Sequence, residues 1–513
     1  MKINRCQILF CLILLLGILI RVWSFPANPP GLNVDEAITG VDAYDLLHYG
    51  VDSNGVSFPV HAISYGSGQN TPYIYLLAPF LALGGLSIFT LRLPMLLLGI
   101  ATLPMVFYAG RRIINQTFGL IAMFFIAVSP WHIMISRWGL ESNTLPFIFL
   151  AAFIFLLKSE SSNRWFILAS FLLGICPYAY GSAFVVVPIV AAAASLVLFL
   201  SKRVQLRTML VGWGVLVVAA APMLLYVLVN HFGWESIHLG FITIPRLPAP
   251  ARFDNVLALN SPHILSALKN NAYTMLRLIW FQDKAPYSMA VEPYGYFYTY
   301  TGILGLLGMI GLLPLPGKEN RVEKWLLLIW LGACLPVGIL ESLIMNRFNI
   351  FFIPFIICMA VPLTWLNGRL QVIRWLLLGV LLVAFAGFTR GYFSPDYSYV
   401  VGRSFYDGII PAVQSAQQSK EAPICVTDKV AEPYIYTLFA EPVAPREFLA
   451  SAKFKDPNVE FRFVNTYGRY SFGLKNCTAG PQTIYVLGEG EQPPDSAIQY
   501  QVEEFSNYKV YKP

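Results

Sequence analysis

The sequence predicts an all-α polytopic membrane protein with a small α/β or β-rich domain at its C-terminal end. Of the 513 residues, 56% are hydrophobic and only 12% are charged, whereas soluble domains carry about 25% charged residues. The hydrophobic residues gather in long runs up to residue 390, and residues 391–513 are polar with short strand-like pieces such as ICVTD and QTIYVLGEG. These observations indicate a transmembrane domain over 1–390 and an independent domain over 391–513.

Apolar runs of about the length needed to cross a bilayer recur along the first part of the chain. About eleven spans are predicted on this basis, near 6–23, 92–110, 118–136, 142–157, 165–180, 182–200, 208–229, 297–315, 325–345, 348–366 and 374–390. Arg21 and Trp23 stand where a signal peptide has small residues at its cleavage site, so the first run is interpreted as a retained span.

The Lys and Arg residues between these runs predict the orientation of the chain. They are Lys2, Arg5, Arg111, Arg112, Lys158, Arg164, Lys202, Arg203, Arg207, Lys318, Arg321, Lys324, Arg369 and Arg374. With about eleven spans, every one of these loops lies on the cytoplasmic side, as the positive-inside rule requires. We therefore expect a multi-pass protein of the plasma (inner) membrane with a cytoplasmic N terminus and an extracytoplasmic C-terminal domain. The net charge of +7 then needs no nucleic-acid partner.

The same count places the loops 24–91 and 230–296 on the outer face. The first of them contains a further apolar run, residues 72–89. A full crossing by this run would put basic loops outside, so an in-plane or re-entrant helix is favoured and a full crossing is the alternative.

Acidic residues open this first outer loop, where Asp35 and Glu36 begin the stretch DEAITGVDAYDLLHYG. Asp42 and Asp45 follow at helical spacing, so they share one helix face with Asp35, with its polar side expected toward water. A carboxylate at the membrane face can act as a general base. A solvated amphipathic helix without a chemical role is the alternative, chiefly for Asp42 and Asp45.

Charged residues also stand at the outer ends of two spans. Arg137 and Glu141 are four residues apart in SRWGLESN, so they are candidates either for substrate contacts or for a helical ion pair. Arg347 opens an apolar span, where it can grip a lipid phosphate or extend to the interface. Arg92 is a weaker candidate for the same phosphate or an anchor for the preceding helix. Carboxylates and guanidiniums at one membrane level suit group transfer from a phospholipid-like donor.

Several pieces of the chain, in this order, resemble the GT-C superfamily of membrane glycosyltransferases. They are the first-loop Asp35-Glu36, PYIYLL at 72–77, LRLPMLLLGIATLPMVFYAGRR, SRWGLESN and RFNIFFIPF. The bacterial protein O-mannosyltransferases and the lipid A aminoarabinose transferases are the most similar groups. The resemblance implies a GT-C-like fold and an inverting transfer of a sugar from a polyprenyl-phosphate donor to a hydroxyl group of a lipid, protein or glycan acceptor.

The resemblance also implies roles for individual residues. Asp35 becomes the catalytic base and Glu36 its supporting neighbour, whereas Arg137, Arg347 and Arg92 become the cations at the donor phosphate. Substrate-supporting or metal-supporting roles fall to Glu141, Tyr65 and Asn70.

The chain departs from the aminoarabinose transferases at two positions. Ile38 stands where they carry Arg, and Asn70 precedes Thr71-Pro72 where they carry Lys. Aminoarabinose is therefore not assigned as the sugar. A divalent ion is possible but not required, because Glu141 replaces an Asp.

Two other classes of function fit the sequence less well. A transporter or flippase should show repeated halves, and no repeat is evident. A receptor or assembly factor should carry a binding motif in the tail, and none is recognised. Cys425 and Cys477 both lie in the predicted extracytoplasmic domain, residues 391–513, and can form a disulfide in an oxidising compartment.

Overall fold

The computed structural model describes residues 4–66, 68–248, 261, 263–282, 289–313, 321–341, 344–366, 368–419, 421–456, 459, 461–478, 480–495 and 497–513. The chain separates into two compact units. Unit 1 comprises Met1–Phe25, Met95–Met223 and Phe253–Tyr397, and unit 2 comprises Pro26–Pro94, Leu224–Arg252 and Ser398–Pro513. Unit 2 thus joins most of the predicted first outer loop to the C-terminal segment. The predicted domains, 1–390 and 391–513, are continuous in sequence, whereas these units are not. The domain boundary at residue 390 stays a prediction.

Helices dominate the described chain. They are α1 (Arg5–Val22), α2 (Val34–Tyr49), α3 (Pro72–Gly84), α4 (Ile88–Ile113), α5 (Gln116–Val128), α6 (Pro130–Ile135), α7 (Thr144–Lys158), α8 (Asn163–Ala179), α9 (Ala183–Leu200), α10 (Leu206–Phe232), α11 (Ile264–Trp280), α12 (Thr299–Gly311), α13 (Arg321–Leu340), α14 (Met345–Trp365), α15 (Gln371–Tyr392), α16 (Pro395–Ser404), α17 (Ile409–Ala416), α18 (Pro433–Ala440) and α19 (Pro445–Ser451).

Within the described residues, 8 helical segments are long and apolar enough to cross a membrane. They include α1, α4, α9, α10, α13 and α14, together with Glu141–Lys158 and Gly368–Tyr392. The chain is accordingly a multi-pass membrane protein, and the predicted fold class is confirmed. In unit 1, the almost wholly buried α14 packs against α5, α7, α12 and α13.

Two predicted spans do not form a single helix of the expected length. The run 118–136 is divided into α5 and α6, because Ser129 leaves the helical conformation and Pro130 lacks the N–H that would continue the ladder. The run 297–315 forms α12, with 13 residues, whereas the run 165–180 forms α8 at about its predicted length, with 17 residues. The predicted in-plane segment forms α3, whose 13 residues extend about 20 Å, less than the apolar thickness of a bilayer.

Strands occur mainly in unit 2. They are β1 (His61–Ala62), β2 (Gln69–Asn70), β3 (Ile237–Leu239), β4 (Ile242–Ile244), β5 (Ile424–Val426), β6 (Lys453–Phe454), β7 (Val464–Tyr467), β8 (Tyr470–Phe472), β9 (Ile484–Gly488), β10 (Gln501–Phe505) and β11 (Tyr508–Lys512). The last seven form one mixed sheet in the order β10-β11-β9-β5-β8-β7-β6, with β5 parallel to both of its neighbours. The predicted α/β character of the C-terminal region is confirmed.

A disulfide joins Cys425 of β5 to Cys477, a pairing that the sequence allowed but left open. The core of unit 2 continues from this sheet to the first-loop helices, since α2 packs against both α3 and α18. Tyr436 of α18 donates a hydrogen bond of 3.0 Å to the carbonyl of Leu32, just before α2. The first loop and the C-terminal segment therefore share one hydrophobic core.

Candidate active site

The N-terminal end of α2 presents the two acidic residues that the sequence singled out. Asn33 caps the helix, because its side chain accepts a hydrogen bond of 2.9 Å from the amide of Asp35. The carboxylate of Glu36 in turn accepts one of 3.3 Å from the amide of Asn33. This reciprocal capping box makes the helix begin here, and it directs Asp35 and Glu36 to different surroundings.

Glu36 is completely buried and forms a bidentate ion pair with Arg92. Arg92 Nε lies 2.9 Å from Glu36 Oε1, and Arg92 Nη2 lies 2.7 Å from Glu36 Oε2. The same guanidinium donates to the carbonyls of Pro26 at 3.1 Å, Pro29 at 2.7 Å and Gly31 at 2.9 Å. All five donors of an arginine are thus directed at protein acceptors. This arrangement favours a positioning role for Arg92 over the predicted contact with a donor phosphate.

Asp35 lies one residue earlier and is half-buried. Its Oδ1 accepts a hydrogen bond of 2.5 Å from the hydroxyl of Tyr65. Its backbone carbonyl accepts from Thr39 Oγ1 at 2.6 Å and from Gln69 Nε2 at 3.1 Å. The Gln69 amide also donates to Thr39 Oγ1 at 2.8 Å, so strand β2 holds the first turn of α2 in place.

Tyr65 and Asn70 were expected to support the substrate. Tyr65 is buried, and its hydroxyl is engaged with Asp35, so its observed contact is with the predicted base. Asn70 is buried in β2, where its backbone pairs with His61 of β1. The neighbouring Gln69, which no sequence pattern singled out, contacts α2 through its side-chain amide.

The prediction that the polar side of α2 faces water is wrong. Asp42 and Asp45 are buried, and the segment around Ser53 and Ser64 contacts Asp42. Asp42 accepts hydrogen bonds from the amide of Ser53 at 2.9 Å and from the hydroxyl of Ser64 at 3.0 Å. Helical periodicity identifies a shared face, but it does not show which other segments pack on that face.

Burial in this cluster raises the pKa of each aspartate. The pKa of Asp42 is raised mainly by burial, against hydrogen bonds from Ser53 and Ser64. Burial, with repulsion from Asp42 and Asp52, raises the pKa of Asp45 to about 8. Burial and repulsion from Asp42 raise the pKa of Asp52 to about 7, although three backbone amides donate to its carboxylate. Nearby carboxylates that lose solvent disfavour their charged forms together.

Arg137 belongs to unit 1, where it is completely buried. Its guanidinium donates to the carbonyls of Arg21 at 2.5 Å and Ser24 at 3.0 Å, at the C-terminal end of α1. The rings of Phe25 and Phe393 lie 5.9 Å and 5.3 Å from its Cζ. A cation is favourable at a helix C terminus, so these contacts favour a structural role over the predicted phosphate contact.

Glu141 and Arg347, also in unit 1, are half-buried. Glu141 begins a short 3₁₀ turn after the non-helical residues that follow α6, so it and Arg137 are not a pair on one continuous helix. Arg347 lies in the first turn of α14. Burial raises the pKa of the nearby Glu341, and the charge of Arg347 offsets only part of that rise. Arg347 is therefore a cation near the end of a span, as the sequence predicts.

A buried polar cluster in unit 1 was not identified from the sequence. Arg21 of α1 contacts His132 Nδ1 at 2.8 Å and Ser136 Oγ at 3.3 Å. It also donates to the carbonyls of Ile126 at 3.1 Å and Ala127 at 3.2 Å. An arginine inside an apolar span is a recognisable signal, because such a charge requires partners in the protein interior.

Among the residues that the structure describes, no group of three or more His, Cys, Asp or Glu side chains is arranged to hold a metal ion. This holds for Asp42, Asp45 and Asp52 as well. A divalent ion therefore remains an expectation from the resemblance alone.

Comparisons with known proteins give a family match over part of the chain. Residues 71–237 match the family model described as dolichyl-phosphate-mannose-protein mannosyltransferase. The matched segment includes Arg92, Arg137 and Glu141, but it begins after Asp35. No curated protein sequence matches the chain.

Solved structures show the fold more completely. The ArnT structure from Cupriavidus metallidurans with bound undecaprenyl phosphate covers 98% of this chain and 97% of that chain, with 13% identity and a TM-score of 0.55. Its apo state gives a TM-score of 0.52 over the same shares, at 13% identity.

An oligosaccharyltransferase of Archaeoglobus fulgidus, tethered to an acceptor peptide with the NVT sequon, also has a similar structure. Its TM-score is 0.50 at 14% identity, over 86% of this chain and 63% of that chain. The present chain thus spans less than two thirds of the length of that enzyme. These structures share the fold, and the match at 71–237 adds a sequence relation. In fold and in this matched segment, the chain resembles the GT-C superfamily of membrane glycosyltransferases, as the sequence predicts.

Proposed function

We propose that this protein transfers a sugar, a hexose in the simplest case, from a polyprenyl-phosphate donor to a hydroxyl acceptor at the outer face of the membrane. The general kind of activity, a membrane glycosyltransferase, is supported by the family match and by the fold. The ArnT structure holds undecaprenyl phosphate, and the family model names a dolichyl-phosphate sugar, so a lipid-linked donor is the consistent choice.

The observation that carries the proposal is the different environment of two adjacent carboxylates. Glu36 is sequestered in an ion pair with Arg92, whereas Asp35 is half-buried and bonded through Oδ1 to the Tyr65 hydroxyl. A general base needs a defined orientation and access to the substrate. We therefore propose Asp35 as the base, since it is half-buried and oriented by Tyr65, and we propose that Glu36 holds the helix start that carries it.

The proposed step is a direct displacement. The acceptor oxygen forms a bond to the anomeric carbon, and the bond from that carbon to the phosphate oxygen breaks. The electron pair of that bond leaves with the polyprenyl phosphate, and the acceptor proton passes to the Asp35 carboxylate. Attack opposite the leaving group inverts the configuration at the anomeric carbon.

The remaining roles follow from the surroundings of each residue. We assign the donor phosphate to Arg347, because a half-buried guanidinium near the end of a span suits a lipid phosphate. Arg92 and Arg137 are assigned to positioning, because their guanidiniums are engaged by backbone carbonyls. Glu141, half-buried at its 3₁₀ turn, is kept as a substrate-supporting residue.

The test is sugar transfer in isolated membranes from radiolabelled polyprenyl-phosphate hexoses, with a panel of lipid, peptide and glycan acceptors. We expect transfer by the wild type and its loss in Asp35→Asn at equal protein abundance. Asp495→Asn, at an exposed position of the C-terminal segment, is the matched control. Undiminished transfer by Asp35→Asn would show that a residue other than Asp35 is the base.

A transporter or lipid flippase is the alternative function. It is distinguished by the absence of sugar transfer with every donor, together with lipid movement across proteoliposomes that contain the purified protein. The absence of a sequence repeat and the GT-C fold favour the transferase.

A further inference from the structure

We infer that Phe461 and Arg462, in the C-terminal segment, are positioning residues for the catalytic base and act on it through Tyr65. This inference rests on the proposed function, because it assigns Asp35 as the base. It extends that function by giving the C-terminal segment a part in the chemistry, although its residues lie about 400 positions from α2 along the chain.

Tyr65 contacts both α2 and the C-terminal segment. Its hydroxyl donates to Asp35 Oδ1 at 2.5 Å, and its backbone carbonyl accepts from the amide of Arg462 at 2.9 Å. Its ring stacks on that of Phe461, with centroids 5.5 Å apart and planes inclined by 21°. Two consecutive residues of the C-terminal segment thus hold the side chain and the backbone of the residue that contacts the base.

The backbone before Tyr65 needs this support. Ser64 adopts a φ of 50°, a left-handed conformation that is unfavourable for a residue with a side chain. Its carbonyl accepts hydrogen bonds from Asn54 Nδ2 at 2.6 Å and from Arg462 Nη2 at 3.2 Å. Arg462 Nη2 also donates to Asn54 Oδ1. Arg462 therefore joins the two sides of the turn that presents Tyr65.

The ring of Phe461 lies at the surface of unit 2. Its side chain is 47% exposed, whereas Tyr65 beneath it is only 8% exposed. A half-exposed ring contributes little to the hydrophobic core, so its loss should leave the fold intact while it frees the Tyr65 ring to change orientation. Because reaction rates depend steeply on the placement of catalytic groups, this freedom should lower the rate of transfer.

The first test compares Phe461→Ala with Phe241→Ala in full-length protein in membranes. Phe241 is a matched control, because it is an exposed ring of the same unit that packs edge-to-face against Phe58 at 5.7 Å. We expect Phe461→Ala to lower kcat by about tenfold with KM for the donor unchanged, and Phe461→Tyr to restore it. Phe241→Ala should stay within about twofold of the wild type.

The second test asks whether the effect passes through Tyr65. If it does, adding Phe461→Ala to Tyr65→Phe should change kcat by less than about twofold. Without the Tyr65 hydroxyl, the orientation of the ring that Phe461 holds no longer affects Asp35. Fully multiplicative losses would overturn the inference. Arg462→Gln should behave as Phe461→Ala does, and Arg469→Gln, whose side chain binds the Ser419 carbonyl and Glu441, is its control.

A third measurement does not depend on activity. Hydrogen exchange followed by mass spectrometry should show faster exchange in peptides covering 61–70 for Phe461→Ala and Arg462→Gln, and no change for the two controls. Faster exchange without sugar transfer by the wild type would refute the proposed function and leave the structural contact standing. Transfer by the wild type that both variants retain in full would refute this inference and leave the proposed function standing.

Discussion

The carboxylate of Glu36 and the guanidinium of Arg92 form a buried bidentate ion pair, with nitrogen–oxygen distances of 2.9 Å and 2.7 Å. The pair joins the first turn of α2 to the start of α4. Arg92 also donates hydrogen bonds to backbone carbonyls of the segment between α1 and α2. Gly31, which supplies one of these carbonyls, has a φ of 74°, and a Cβ there would lie 2.3 Å from the carbonyl oxygen of Phe405. The geometry around the predicted base therefore depends on a buried ion pair and on the close backbone packing around it.

Breaking this ion pair should destabilise the protein strongly. In Glu36→Gln the Arg92 charge stays buried without its counter-charge, which costs about 3–5 kcal/mol in comparable pairs. We expect a large drop in the midpoint of thermal unfolding, measured in detergent. Glu235→Gln removes the partner of Arg246 from an exposed pair at 3.7 Å, so its effect should be about 1 kcal/mol or less. Equal effects of the two changes would contradict the structural role of Glu36.

Removing the Tyr65 hydroxyl should impair transfer more than stability. A hydrogen bond to a charged group contributes about 1.5–3 kcal/mol, so Tyr65→Phe should lower kcat by roughly 10- to 100-fold. The ionised carboxylate also loses a donor, and the acidic limb of the pH–rate profile should move to higher pH. Steady-state kinetics between pH 5 and 9 measure both effects. An unchanged profile would show that the hydroxyl does not act on the base.

The buried aspartates should make the protein less stable at alkaline pH. The pKa of Asp45 is raised to about 8 and that of Asp52 to about 7, both mainly by burial. Burial likewise raises the pKa of Glu432 to about 7, against the opposing charge of Arg462. The unfolded chain releases these protons near pH 4. The folded protein therefore binds more protons between about pH 4 and 8, and the free energy of unfolding falls as the pH rises through that window.

Thermal unfolding at pH 5.5 and pH 8.5 measures this dependence. The unfolding midpoint should be lower at pH 8.5, and Asp45→Asn should reduce the difference, because the amide has no proton to lose. Asp495→Asn, at an exposed position, should leave the difference as it is. A midpoint that is higher at pH 8.5 would show that these carboxylates are ionised at little cost in the folded protein.

Arg137 and Arg347 should respond differently to replacement. Arg137→Gln removes donors from the C-terminal carbonyls of α1, so we expect low abundance of folded protein and an unchanged KM for the donor in the protein that remains. Arg347→Gln should leave abundance unchanged and raise the donor KM by about tenfold or more, because it removes the proposed charge-assisted phosphate contact. Purified yields and transfer kinetics separate the two cases. A raised donor KM in well-folded Arg137→Gln would show that Arg137 contacts the donor phosphate after all.

Much of the fold is predictable from local patterns. Apolar runs identify most spans, and the polar composition of residues 391–513 predicts an α/β or β-rich region. The sequence Asn33-Val34-Asp35-Glu36 also carries the spacing of a capping box, which places the helix start at Val34. Where a predicted span was too long, as at 118–136, a proline at position 130 was the local signal of the break.

The sequence by itself determined the membrane-spanning class and the helix that carries the acidic pair, because periodicity, capping and composition are properties of neighbouring residues. Only the tertiary structure decided which of the two adjacent carboxylates is accessible. Glu36 is sequestered by Arg92, 56 residues away, and Asp35 is oriented by Tyr65, which Phe461 covers. It also decided that Asp42 and Asp45 are buried. Such partners are set by long-range packing within unit 2, where distant segments share one core, and no local pattern records which segments will meet.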